Sequence, residues 1–246
     1  MSSTIKKRSR GVRILGLSFA AVLGLLCVAA LVIYLAFQGR PSHWQSEQSR
    51  LAGVSEAQRE AISESLRNRL MTQWSDPGDQ SPVTEADLFG HRRHIEVPYA
   101  ELNTWIQSEG IKLLAEVGIK IPDSAQSAMV DSPGDGLLRI SFEVKTKDVD
   151  QVISMSFDVT IADDGTLTST LEQATAGRLP LPVDTAIDRV ASQTDDGIML
   201  DLMQGKPVPP VELPIDKSRA GRLVGVEVQP DVLIITRETV RPNQTK

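Results

Sequence analysis

Apolar residues recur at every second position over two stretches of the chain. Leu138, Ile140, Phe142 and Val144 alternate with Arg139, Ser141, Glu143 and Lys145; Ile153, Met155, Phe157, Val159 and Ile161 alternate with Ser154, Ser156, Asp158 and Thr160. A period of two predicts strands with one dry face and one wet face. Turn signals bracket them: SPGDG at 132–136 and DDG at 163–165 sit where hairpins reverse. Strands are expected near 91–97, 126–131, 137–146, 151–162 and 166–175, with a hairpin over 221–240 that turns at Gln229–Asp231.

Helical spacing appears elsewhere. Residues 38–53 are polar and read as a stalk. Ala57, Ala61, Ile62, Leu66, Leu70 and Trp74 then form a stripe, and Ser55 with Gln58 makes a capping box. The turn-rich 75–82 ends this helix, and the compact domain is expected from 83 to 246. Pro98 opens a second helix with Leu102, Trp105 and Ile106 on one face; Gly110 either ends it or only weakens it before Ile111–Val117, and the helix with Leu113, Leu114 and Val117 is expected to lie across the concave side of the sheet. Two short helices are expected at 183–193 and 196–205. Pro207, Pro209, Pro210 and Pro214 hold the next segment extended.

The longest apolar run decides the topology. Residues 14–37 are 24 positions without a charge. As a helix this run is about 36 Å long, enough for a hydrocarbon core of about 30 Å. Residues 1–13 carry five basic residues and no acid, which keeps that tail in the cytoplasm and exports the chain beyond residue 37. A cleaved signal peptide would have a shorter core ending in a small-x-small site, and the end of this run, YLAFQGRPS, offers none. The expected localisation is a single-pass cell-membrane protein with an extracytoplasmic main domain, reached through a stalk and juxtamembrane helix over 38–82.

Charge and chemistry narrow the function. Beyond residue 37 remain 21 basic and 32 acidic residues, a net of −11, which argues against a nucleic-acid partner. The single cysteine, Cys27, lies within the apolar run, with no small residue before it as a lipoprotein site requires. His43 falls in the stalk, and His91 and His94 face opposite ways along a strand, so neither a metal site nor a triad is implied. No phosphate-binding glycine motif occurs. The chain is read as non-enzymatic, with no cofactor.

Two motifs stand out: ELNTWI, with Asn103 inside a helix, and GRLPLP, where Gly177 bends the chain between a strand and a helix. With the basic tail and anchor, this layout over roughly 83–240 resembles the YpmS-like family of membrane-anchored extracytoplasmic proteins. It is similar, more remotely, to tubular lipid-binding domains, in which a curved sheet wraps a long helix. The resemblance implies a location and an apolar groove, and brings no catalytic residues.

The expected fold is therefore α+β: an N-terminal transmembrane helix followed by a curved antiparallel sheet packed against helices. The candidate groove residues are Leu102, Trp105, Ile106, Phe142, Met155, Phe157, Met199 and Met203. The expected occupant is a lipid acyl chain; the alternative is a structural or accessory subunit packed against another membrane protein.

Overall fold

The computed structural model describes residues 36–72, 90, 92–110, 125–145, 150–191, 197–210, 212–214 and 220–241. The predicted span lies outside these residues except for Ala36 and Phe37. Among the described residues no helix is long and apolar enough to cross a membrane.

The architecture is α+β, with antiparallel sheets and helices packed on them. Instead of one curved sheet there are two. The first joins β1 (Arg92–Pro98) and β7 (Glu212–Pro214) to the hairpin β8 (Ala220–Val228) and β9 (Val232–Val240), in the order β1-β9-β8-β7. The second is a meander of β2 (Ala125–Gly134), β3 (Leu137–Lys145), β4 (Asp150–Ile161), β5 (Leu167–Ala176) and β6 (Leu179–Leu181), in chain order.

The predicted turns make the meander. Asp135 and Gly136 both take positive φ, at 55° and 74°, as a tight hairpin reversal requires. A physical reason keeps the sheets apart at β2. The helix α3 (Tyr99–Trp105) and the π-helical turn Ile106–Gly110 that continues it lie along the outer edge of that strand. Asn103 and Gln107, one helical turn apart, bond to the backbone of Val130 and Ala128 there. Their amides take the place a further strand would fill, so β1 pairs with β9 instead.

Helices pack on both faces of the meander. On the predicted dry face, Met155, Phe157, Leu171 and Ala174 are buried with Ala186 of α4 (Val183–Ala191) and Met203 of α5 (Gly197–Met203). Ile140, Phe142 and Val159 pack against that cluster. The predicted wet face is not wet along its length: Ser141, Ser154 and Ser156 are buried.

Part of the cover on that side comes from the segment expected as a stalk. Residues 38–53 contain α1 (Ser42–Ala52), whose Trp44 is 0% exposed and clusters with Leu51, Met129 and Val152. Packing onto the sheet thus begins well before residue 83.

The helix α2 (Glu56–Thr72) starts with the predicted capping box: the Ser55 N–H donates to Gln58 Oε1 at 3.0 Å, and the Gln58 N–H donates to Ser55 Oγ at 3.4 Å. Its inward face differs from the prediction. Leu66 is buried but Ala57 and Ala61 are exposed, and Ser63 turns inward to bond Ser108 at 2.8 Å. Leu66 joins Ile95, Val97, Tyr99 and Leu233 in the core of the β1-β9-β8-β7 sheet, against which Val130 and Leu138 of the meander also pack.

Candidate functional site

The expected groove residues separate into two clusters. Phe142, Met155, Phe157 and Met203 converge between the meander and α4–α5. Leu102 and Trp105 pack instead in the other cluster, with Leu66, Tyr99 and Leu233. Ile106 is 9% exposed and belongs to neither cluster. The side chain of Met199, like Leu113, Leu114 and Val117, lies outside the described residues.

An open groove of about 520 Å³ remains beside the first cluster, lined by Leu171, Val183, Ile187, Met203, Asp184 and Asp188 among others. Its lining mixes apolar Leu171, Val183, Ile187 and Met203 with polar Thr170, Gln204 and the two aspartates. That arrangement repels a free carboxylate and accepts an apolar body with a neutral or cationic head.

A second site lies where the chain leaves the predicted span. Residues 36–40 seat against the turn between β5 and β6. The Arg178 N–H donates to the Ala36 carbonyl at 3.0 Å, and Gln151 Nε2 donates to the Phe37 carbonyl at 2.8 Å. Arg178 Nε reaches the Arg40 carbonyl at 3.3 Å. Arg40 bonds Glu143 at 2.7 Å and Asp150 at 3.1 Å.

Gly177 makes this approach possible. Its φ is +60°, and a Cβ there would collide with the Phe37 carbonyl oxygen and come within 2.9 Å of that of Gly39. The GRLPLP motif, expected as a strand-to-helix corner, instead turns the β5–β6 hairpin at Gly177 and reaches α4 only after β6, and the same turn is the seat of the chain's entry. No local signal in the sequence connects residues more than a hundred positions apart.

A third constellation was also hidden in the sequence. His43 Nε2 lies 3.2 Å from Ser141 Oγ, which donates to Ser154 Oγ at 2.8 Å. Burial and the Arg139 guanidinium lower the His43 pKa, while Asp131 opposes them. Asp131 itself holds Arg139 through two bonds of 2.7 and 2.5 Å.

A serine beside a neutral imidazole resembles a nucleophile and its base. Acyl transfer needs room for a carbonyl at the hydroxyl, however, and Ser141 is 1% exposed. The groove described above does not include it. Here the pair serves to satisfy buried hydroxyls under α1. Among the described residues no cluster of three or more His, Cys, Asp or Glu is placed to hold a metal. Comparison with family models, curated proteins and solved structures finds no match.

Proposed function

We propose that the chain is a non-catalytic, single-pass membrane protein, with its N-terminus in the cytoplasm and its α+β domain outside, that acts as an accessory subunit to another membrane protein. The observation that carries this reading is the seating of residues 36–40 on the meander. A domain held this close to its anchor is suited to presenting a fixed surface beside a membrane-embedded partner. The resemblance to the YpmS-like family belongs to the same reading, as does the absence of a nucleic-acid partner inferred from the acidic exported part.

The test has two parts. A cytoplasm-dependent reporter fused after Lys246 should stay silent; activity would overturn the orientation. Purification from native membranes in mild detergent should bring a partner in fixed stoichiometry, and a chain that purifies alone at full yield would sink the accessory role.

A second reading is favoured by the groove beside α4. Its volume, about 520 Å³, suits a small apolar ligand such as part of an acyl chain. Organic extraction of the purified protein should then release lipid, and Ile187→Trp, which fills the groove, should abolish that release. Equal lipid in both proteins would place it elsewhere, in the detergent belt of the span.

A further inference from the structure

The seat of residues 36–40 also fixes which end of the domain meets the bilayer. Three cations gather there: Arg40, the exposed Arg178, and Lys145, whose backbone pairs with Asp150 at the start of β4. Glu143 and Asp150 are engaged by Arg40. The opposite end of the meander carries the exposed Asp163 and Asp164 in the β4–β5 turn, where Arg92 pairs with Asp163 at 2.9 Å. β4 has 12 residues, so the two ends are about 36 Å apart at roughly 3.3 Å per residue.

The exported part is acidic overall, with 32 acids against 21 basic residues, and an anionic leaflet repels most of its surface. The corner sets three cations, Arg40, Lys145 and Arg178, against two acids, Glu143 and Asp150, and it is also the place where the chain arrives from the predicted span. We infer that the corner formed by Arg40, Lys145 and Arg178 is a docking surface for the phosphate layer of the bilayer, and that the domain stands on it with the β4–β5 turn held away from the lipid. The inference rests on the reading of residues 14–37 as a span. It adds that the link is a rigid seat: among residues 36–52 the described chain is bonded to the meander or packed on it. Arg178 keeps donors beyond the one it gives to the Arg40 carbonyl, and a guanidinium matches phosphate oxygens.

The full chain, with Cys27→Ser, is reconstituted in phosphatidylcholine vesicles containing one-fifth phosphatidylglycerol. A membrane-impermeant donor dye is attached at Pro180→Cys, exposed beside the corner, or at Asp163→Cys, and energy transfer is read to acceptor dyes on lipid headgroups. Clearly stronger transfer at 180 than at 163 is the expected result. Equal transfer at both positions, from a domain lying flat or swinging freely, overturns the inference while leaving the span intact. Failure of the protein to float with the vesicles overturns the span and the inference together. Gly177→Ala should narrow the difference between the two labels; if that variant misfolds, the two labels on the native seat decide the matter alone.

Discussion

Asn103 treats Val130 as a neighbouring strand would. Its Nδ2 donates to the Val130 carbonyl at 3.0 Å, and its Oδ1 accepts from the Val130 N–H at 2.7 Å. The side chain is 2% exposed, and Nδ2 also donates to Glu47 of α1 at 2.9 Å. One amide therefore closes the edge of β2 and ties it to the helix next to the predicted span.

Replacing Asn103 by Ala leaves both backbone groups of Val130 unpaired. The expected cost is about 2–4 kcal/mol, since each buried group loses its partner. The freed edge should also pair between molecules. Urea titration of the full chain in detergent reads the first effect and sedimentation velocity the second; a variant with unchanged midpoint and size would contradict this account.

Gly177→Ala should unseat residues 36–40. The left-handed backbone and the collision with the Phe37 carbonyl together cost about 1–3 kcal/mol. The amide hydrogen of Arg178, bonded to the Ala36 carbonyl, should exchange faster by a factor of ten or more, as about 1.4 kcal/mol per decade implies. Unchanged exchange there would mean that the seat survives a Cβ.

Trp44 anchors α1 to the meander, and Trp44→Ala should cost about 3–5 kcal/mol through the cavity it leaves. Trp44→Phe should be far milder, because the buried Nε1–H of Trp44 has no hydrogen-bond partner to lose among the described residues. Thermal unfolding of the three proteins gives the order; a Phe variant as unstable as the Ala variant would show that the indole is held by more than packing.

His43 makes stability depend on pH. Burial and Arg139 hold its folded-state pKa below the ordinary 6.5, with Asp131 opposing. The unfolded chain therefore takes up the proton first as pH falls. The contribution is fully present above about pH 6.5 and is lost as pH drops towards the lowered folded value. Tm should fall between pH 7 and 5, and His43→Gln should flatten that part of the curve. An identical slope in the variant would assign the loss to carboxylates alone.

The strands and hairpins were legible because their signals are local. Alternation marks β3 and β4 residue by residue, and Asp135–Gly136 marks their turn. The partition into two sheets was not, because it depends on side-chain bonds from Asn103 and Gln107 to the backbone of β2, 27 and 21 positions further along the chain. The helix α1 was missed for another reason. Its sequence, SHWQSEQSRLA, buries only Trp44 and Leu51, too few apolar positions to reveal a helical period. His43 then looked like a stalk residue, and its serine partners like solvent-facing positions. Of the expected groove residues only Met203 lines the groove beside α4; Phe142, Met155 and Phe157 pack in the core cluster next to it, and Leu102 and Trp105 serve the other sheet.

The contact between Arg40 and Arg178 joins residues 138 positions apart. A ribosome adding about 5–20 residues per second needs roughly 7–28 s to make the stretch between them. For a chain whose span enters the bilayer first, residues 36–52 wait that long at the membrane surface with no sheet to receive them, and Trp44 is an apolar side chain suited to resting among lipid headgroups in the meantime. Seating is thus a late event in biogenesis. The β1-β9-β8-β7 sheet closes later still, because β9 ends at Val240 and β1 pairs with it.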